Sequence, residues 1–536
     1  MPFMDLIRSR RVHRRLRAAG PPPRPGPGRV RGGGGRRGRL VLAAVLAGVL
    51  TGAVTDFGNG TGFGAGTGFG ADTSLGAGTD DDVAEDDDVS HNDASAYDAS
   101  GNEASGYDVS GYDITMSYQP DSGTLRGVTV VSATATEALD SLTLHLSGPA
   151  VRSVTVDPDT VRAGAADRAA AESFSRTGEK DLVIVPATPI ARGAGFRVRI
   201  EYDGTPGAGW LPTESGGATA FMGNSSAWFP AHENARDKAD FRLTASVPED
   251  WSVVSVGREE PVRPERPASA ATATFRWAEP DVDPAHVAVS VDRFTLERSV
   301  LADGTPVVNA YADGLRKPAK PLADRLPDIL TFLSGKFGPY PFGAAGNVFV
   351  HVNDDGPATA PQTRPVYLGA GNERFMTLNP VVHEQAHQWY GISAAPRQPE
   401  DTCLSECFAV YATWLWDEAE DGADLDARYR EQVHAEKADP AFWKELYAPG
   451  RTPGMTLYDK GPLALHALRR EVGDKAFDRL LKRWPRENRG AYAGWPRFEE
   501  FAEEVTGQDL TGFFRAWFRG AAVPADAYLW PGPLEP

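Results

Sequence analysis

The stretch from Val381 to Gly391 contains residues whose types and spacing could bind a metal ion. It includes the pattern H-E-x-x-H, formed by His383, Glu384 and His387. Residues four apart on a helix lie on one face, so both imidazoles can turn toward a single ion. Glu384 follows the first histidine, and its carboxylate could take a proton from an attacking water without binding the ion. Unless the match arose by chance, the pattern predicts metal-assisted hydrolysis.

A third ligand is predicted at Glu406. Eighteen residues separate it from His387, which is enough for a second helix to pack against the first and present a carboxylate. The segment around Glu406 is otherwise apolar, and a buried carboxylate is costly without a partner. Two histidines, one glutamate and an open fourth position are typical of catalytic zinc, whereas structural zinc has four protein ligands. We therefore predict one Zn²⁺ ion, held by His383, His387 and Glu406.

Tyr458 is the predicted oxyanion donor. It is followed by Asp-Lys-Gly and then by Pro462, a residue favoured at the start of a helix. A tyrosine at the mouth of a helix that faces a cleft can hydrogen-bond an oxygen on which negative charge develops. Taken alone, such a tyrosine would more often be a packing residue. Its predicted role depends on its combination with the three predicted metal ligands and with Glu384 as the general base.

These residues lie in an acidic chain of 536 residues, which is too long for one core. The formal net charge is −18, and residues 1–39 carry twelve Arg and one Asp, which leaves −29 on the rest of the chain. Such an acidic body argues against a nucleic-acid partner. We expect a monomer without a nucleic-acid partner.

The N-terminal segments are predicted to serve export. Residues 1–55 are interpreted as a signal peptide or membrane anchor, because Arg-rich sequence precedes an apolar run at 40–54 that is shorter than the roughly 20 residues of a membrane span. We expect a secreted or cell-envelope protein on the extracytoplasmic side, with possible membrane attachment through residues 40–54. Residues 56–113 are rich in Gly and Asp, have no Lys or Arg, and are predicted to be a disordered linker.

The remainder is predicted to form two domains. Residues 114–298 show the period-two alternation of an antiparallel β saddle or sandwich, in which the isolated His145, His232 and His286 would be structural or solvated. Residues 299–536 change to helical periodicity. Helices are predicted at 376–391, 403–418, 462–484 and 497–519. A short strand at 347–352 could form the wall of a cleft beside the helix that carries His383 and His387.

Three motifs in the second half resemble those of the aminopeptidase N family of zinc metallopeptidases, the gluzincins. They are H-E-x-x-H-Q-W-Y-G from His383, L-S-E-C-F-A from Leu404 and Y-D-K-G from Tyr458, in the family's order and at about its spacing. The resemblance implies a saddle-like β domain followed by a mainly helical, thermolysin-like zinc-peptidase domain. It also implies a short bacterial-type member without the large C-terminal domain of longer relatives.

One position departs from the family pattern. The run Gln362-Thr363-Arg364-Pro365 aligns with a family segment and places Ala360 where a glutamate binds the free α-amine of the substrate. Three functions therefore stay open: an aminopeptidase on short peptides in which another group replaces this glutamate, a metallohydrolase of altered specificity for internal or N-blocked peptides, and a catalytically silent zinc-containing binding module. Intact Glu384 and Tyr458 argue against the third.

Cys403 and Cys407 are the only cysteines and flank Glu406. An isolated pair in an exported protein suggests a disulfide. A bridge between residues four apart would, however, strain a regular helix. The sequence leaves a disulfide and two buried thiols as alternatives.

Overall fold

The computed structural model describes residues 106–158, 171–233, 238–262, 272–352, 358–372 and 376–536. The predicted signal segment at 1–55, with its apolar run, lies outside these residues, as does most of the predicted linker. Among the described helices, none combines the length and apolar character that crossing a membrane requires. Buried apolar side chains form one continuous cluster through a β-rich N-terminal part and a mainly helical C-terminal part.

The N-terminal part contains fourteen strands within the described residues. In chain order they are β1 (Tyr107–Gln119), β2 (Thr124–Ala135), β3 (Leu142–His145), β4 (Ala150–Pro158), β5 (Ser173–Thr177), β6 (Asp181–Val185), β7 (Gly195–Gly204), β8 (Trp210–Pro212), β9 (Ala218–Ala220), β10 (Ala239–Pro248), β11 (Ser252–Ser255), β12 (Arg258–Glu260), β13 (Thr272–Val282) and β14 (Val289–Asp292). The largest sheet has the order β12-β13-β10-β1-β2-β7-β4, and smaller sheets have the orders β11-β14-β9-β8 and β3-β6-β5. Pairing is antiparallel except between β1 and β10.

The first strand corrects the predicted boundary of the linker. β1 begins at Tyr107, so residues 107–113 are sheet and not linker. Tyr107, Val109 and Tyr112 are buried, while Asp108 and Asp113 are exposed. The Asp and Gly content of the long preceding segment hid this alternation, because composition averages over a window much longer than one strand.

The C-terminal part combines a five-stranded sheet with ten helices within the described residues. The strands are β15 (Thr295–Val300), β16 (Pro306–Tyr311), β17 (Ala345–Phe349), β18 (Ala358–Thr359) and β19 (Val366–Tyr367), with a separate pair β20 (Ala395–Pro396) and β21 (Tyr492–Ala493). The helices are α1 (Arg316–Ala323), α2 (Leu326–Phe337), α3 (Leu378–Ala386), α4 (Glu406–Asp421), α5 (Leu425–Glu436), α6 (Leu457–Val472), α7 (Asp474–Glu487), α8 (Trp495–Thr506), α9 (Thr511–Trp517) and α10 (Asp526–Leu529).

The sheet of the C-terminal part begins four residues before the predicted domain boundary at 299. Its order is β15-β16-β17-β19-β18, and β15 pairs with β16 from Thr295 onward. The strand predicted at 347–352 is β17, which begins two residues earlier and ends at Phe349. β18 is an outer strand of this sheet and packs against α3.

Two of the predicted helices are wrong because each is interrupted. The predicted helix 462–484 is split between α6 and α7 by Gly473, whose φ is +81°. The predicted helix 497–519 is split between α8 and α9 after Gly507, whose φ is +71°. Glycine takes these backbone angles readily and commonly ends helices, whereas apolar periodicity continues across such a break.

Arg364 ties the two parts together. Its buried guanidinium stacks on Trp277, with 4.8 Å from Cζ to the ring centroid. It donates to four backbone carbonyls, those of Ser255 and Gly257 in the N-terminal part and of Val308 and Ala345 in the five-stranded sheet. Burial lowers the pKa of Arg364 to about 10. The segment that contains Ala360 is thus anchored to both parts of the chain.

Candidate metal centre

Helices α3 and α4 bring the three predicted ligands together. His383 Nε2 lies 3.1 Å from His387 Nε2, and Glu406 Oε2 lies 3.4 Å and 3.6 Å from these two nitrogens. Tetrahedral zinc with bonds of about 2.0–2.1 Å holds its ligand atoms about 3.3 Å apart, so the three atoms fit one ion. Among the described residues, this is the one group of three His, Cys, Asp or Glu side chains close enough to share a metal.

Two glutamines, one in α3 and one in the turn after it, hydrogen-bond α3 to the neighbouring segments. Gln385 donates to Gly346 O at 3.1 Å and to Asn347 Oδ1 at 3.0 Å, which ties α3 to β17. Gln388 accepts from Thr363 N at 2.7 Å and donates to Pro361 O at 3.1 Å. Neither glutamine was predicted to have a role, although buried side-chain amides at positions that face the protein interior indicate hydrogen-bonding partners.

The outer nitrogen of His387 is held by hydrogen bonds. Its Nδ1 lies 3.1 Å from Tyr390 O and 3.0 Å from Ser405 Oγ, so Nδ1–H can donate while Nε2 faces Glu406. Burial lowers the pKa of His387 to about 4, which keeps the imidazole neutral and able to bind a metal. Gly391 allows this packing, because a Cβ there would lie 2.3 Å from Ser405 Oγ.

Glu406 is the first residue of α4 and points at the two histidines. Burial opposes its ionisation, but the neighbouring His387 and His383 outweigh burial and hold the pKa of Glu406 at about 2. Tyr390 and Phe408 stack with 4.3 Å between ring centroids and bring α4 against the chain that follows α3. The carboxylate is therefore charged and held in place at neutral pH.

Glu384 is buried beside the cluster without belonging to it. Burial raises the pKa of its carboxyl to about 7, although His383 opposes this shift. A divalent cation held by the neighbouring ligands would favour the ionised form. A carboxylate with these properties can act as a general base at neutral pH.

Tyr458 lies in the first turn of α6, not before the helix. α6 begins at Leu457, so the predicted helix start at Pro462 is wrong and this proline lies inside the helix. The Tyr458 side chain lies near the Glu406 carboxylate, and its ring centroid is 6.4 Å from that of His383. Burial, with the negative charge of Glu406, raises the pKa of Tyr458 well above its usual value. The hydroxyl therefore stays protonated and can donate.

Cys403 and Cys407 form a disulfide with 4.8 Å between their Cα atoms. The chain avoids the expected helical strain because the two residues do not share one regular helix. Cys403 lies in a 3₁₀ helix at Pro399–Leu404, whereas Cys407 lies in the first turn of α4. The prediction that an α-helix begins at residue 403 is therefore wrong.

Ala360 and the three isolated histidines lie outside the ligand cluster. Ala360 is buried and directly follows β18, in the segment whose next residues are held by Gln388. His145 and His232 are buried in the N-terminal part, as expected of structural residues. The carbonyl of His286 accepts from Gln362 N at 3.0 Å. None of the three histidines belongs to the ligand set.

Residues 370–517, which contain all five predicted site residues, match the peptidase family M1 domain. The chain carries a family M1 peptidase domain. Aminopeptidase N of Lactococcus lactis subsp. lactis is 25% identical over 27% of this chain, which spans only 18% of the length of that relative.

Solved M1 zinc metallopeptidase structures share the fold of about four fifths of this chain. The M1 zinc metallopeptidase of Deinococcus radiodurans is 23% identical, with a TM-score of 0.68 over 80% of this chain and 97% of that one. A mutant of the Deinococcus enzyme bound to the substrate Tyr-Ser-Ala has a TM-score of 0.66 and 23% identity, over 79% of this chain and 96% of that one. A two-domain M1 zinc metallopeptidase mutant bound to L-tryptophan has a TM-score of 0.67 and 23% identity, over 81% of this chain and 98% of that one. The predicted β domain followed by a mainly helical zinc-peptidase domain is confirmed.

Proposed function

We propose that this protein is a zinc-dependent peptidase that acts as an aminopeptidase on short peptides. The observation that carries the proposal is the cluster of His383, His387 and Glu406, whose ligand atoms lie 3.1–3.6 Å apart. Glu384 and Tyr458 adjoin this cluster from α3 and α6. A structural zinc site would need neither a general base nor an oxyanion donor.

The residues of the M1 domain have distinct roles in peptide hydrolysis. His383, His387 and Glu406 would hold a zinc ion, which would supply Lewis acidity to lower the pKa of water and polarise the scissile carbonyl. Glu384 accepts a proton from the attacking water and passes it to the leaving amine. Tyr458 donates a hydrogen bond to the carbonyl oxygen as negative charge develops on it. Ser405 and the carbonyl of Tyr390 keep His387 in the ligand orientation.

Relatives support cleavage at the N-terminus. The Lactococcus relative is named Aminopeptidase N, and M1 structures of similar fold hold a tripeptide substrate, L-tryptophan and L-arginine. Free amino acids in such a site are what an aminopeptidase releases. We therefore propose substrates with a free α-amine.

Ala360 favours a second candidate, a metallopeptidase of altered specificity. Its methyl group cannot pair with an ammonium, and it stands in the segment that Gln388 holds next to His387. A site without the amine-binding carboxylate would accept acetylated N-termini or internal peptide bonds.

Matched peptides with free and acetylated N-termini distinguish the candidates. We expect kcat/KM of the zinc-loaded protein to be at least about 100-fold higher for the free amine, because a site that pairs with a polar group rejects the analogue that lacks it. Equal cleavage of both peptides, lost in Glu384→Gln, would establish the second candidate. Zinc binding without cleavage of any peptide would indicate a silent binding module.

Replacement of Tyr458 by Phe tests the oxyanion role. We expect kcat to fall by about 10²–10³-fold, because one donor to the developing charge is lost. Zinc content, measured by elemental analysis, should stay the same because Tyr458 is not a ligand. Tyr528→Phe, which removes the same hydroxyl on α10, is the control. A change in kcat of less than about threefold in Tyr458→Phe would contradict the assignment.

We also propose that the protein acts outside the cytoplasm as a monomer, on peptides and not on nucleic acids. The Cys403–Cys407 disulfide supports this compartment, because disulfides persist in oxidising surroundings. Attachment through residues 40–54 belongs to the same proposal. Recovery of the mature protein from the cytoplasmic fraction would contradict it.

A further inference from the structure

We propose that the Cys403–Cys407 disulfide is a positioning element of the metal centre. It holds the third ligand, Glu406, and the helix that carries Tyr458 in their working arrangement. This inference rests on the proposed function in so far as it concerns a zinc site. It goes beyond that function by giving the only two cysteines a role in metal binding and in catalysis.

The disulfide encloses Glu406 at a junction between two helix types. The 3₁₀ helix ends at Leu404, Ser405 has φ −105° and ψ −69°, and α4 begins at Glu406. The bridge spans this junction and joins buried sulfur atoms on either side of the ligand. It therefore restricts the backbone dihedrals that aim the Glu406 carboxylate.

The Cys403 side of the bridge is attached to a well-anchored turn. Asp401 accepts hydrogen bonds from Gln398 N at 2.9 Å and from Trp495 N at 2.7 Å. The second bond ties the 3₁₀ helix to the start of α8. Through the disulfide, the first turn of α4 is covalently linked to this fixed point.

The Cys407 side of the bridge supports helix α6. A Cβ on Gly461 would lie 2.6 Å from Cys407 Sγ, so the α6 backbone packs directly against the disulfide. Tyr458 precedes Gly461 by three residues and lies on the same helix face. The Tyr458 side chain lies near Glu406, the residue before Cys407. Cys407 thus meets Gly461 where α4 packs against α6, one residue after Glu406 and one helical turn from Tyr458.

Stabilisation of the whole fold is the weaker explanation for this bridge. A disulfide restricts the unfolded chain less when the loop it closes is short, and this loop joins residues only four apart. The bridge therefore acts mainly on the local geometry of the folded state, where Glu406 and the first turn of α6 lie.

Three forms of the protein test the inference: the oxidised wild type, the wild type reduced with a phosphine, and the double variant Cys403→Ala/Cys407→Ala. The phosphine gives two electrons to the disulfide and becomes the phosphine oxide, while water supplies its oxygen and the protons of the two thiols. The zinc dissociation constant is measured by competition with a chelator, and kcat is measured at saturating peptide. The alanine variant controls for zinc binding by the released thiols.

We expect the zinc dissociation constant to rise by about 10-fold or more in both the reduced and the alanine forms, because loss of a group that orients a ligand typically costs 10–100-fold. We also expect kcat to fall in zinc-saturated protein, because Tyr458 loses its support. Phosphine added to the alanine variant should change nothing.

Zinc affinity and kcat within twofold of the oxidised protein in both forms would overturn the inference, even if the melting temperature fell. Loss of the far-UV circular dichroism of both forms would also overturn it, because the bridge would then serve the fold as a whole. Failure of the oxidised protein to bind zinc is a separate result that would refute the proposed function.

Discussion

Replacing Glu384 with Gln is expected to lower kcat for peptide hydrolysis by about 10²–10⁴-fold, the usual contribution of a general base. The amide keeps the size and position of the side chain but cannot accept a proton at neutral pH. Glu384 is outside the set of three ligand atoms, so the zinc content should stay the same. The loss should therefore appear in kcat at full zinc occupancy.

The control for this substitution is Glu249→Gln, which makes the same chemical change at an exposed position of the N-terminal part. It should leave both kcat and zinc content unchanged. If Glu384→Gln retained more than about a tenth of the wild-type kcat with zinc bound, another group would have to take the proton. The buried position of Glu384 beside the cluster would then have no catalytic meaning.

The parts of the site that depend on local spacing could be predicted from the sequence. His383 and His387 share a face of α3 because helical geometry places residues four apart together. Spacing alone could not identify Glu406 as a ligand, because an interval of eighteen residues only permits a second helix to approach the first. The apolar surroundings of this carboxylate and the motif resemblance supported the choice, and the structure brings it within 3.6 Å of both imidazoles.

The contacts that orient these residues could not be predicted, because they join segments far apart in the chain. Gln388 bonds the backbone at Pro361 and Thr363, and Ser405 reaches His387 across the turn at Gly391. No periodicity encodes such pairs. A polar side chain in an apolar stretch indicates that a partner exists, but the fold determines which partner it is.

The wrong helix and strand boundaries have one cause. Each true boundary depends on one or a few residues, whereas periodicity and composition are averages over longer segments. Gly473 and Gly507 interrupt apolar periodicity that otherwise continues, and β1 begins inside a segment judged by composition. The state of the two cysteines depended on a similar detail. The change from 3₁₀ to α-helix at Ser405 permits the bridge and also directs Glu406 toward the histidines.

Glu406 completes the proposed metal centre, so its removal should have the largest effect on zinc binding. Without it, two imidazoles remain, and none of the remaining ligands is negatively charged. Substitution of groups that merely orient a ligand already weakens metal binding by 10–100-fold. A substitution that removes the charged ligand itself should exceed this range.

We expect Glu406→Gln to raise the zinc dissociation constant by at least about 100-fold, and activity at limiting zinc to fall in proportion. Zinc at 100 times the wild-type dissociation constant stabilises the wild-type fold by about 2.7 kcal/mol, and the variant at the same zinc concentration by about 0.4 kcal/mol or less. Thermal unfolding with and without zinc measures this difference directly. Asp421→Asn, at the exposed end of the same helix, should keep the full stabilisation. If Glu406→Gln kept it as well, the three-ligand centre would be refuted, because a ligand cannot be removed without loss of binding energy.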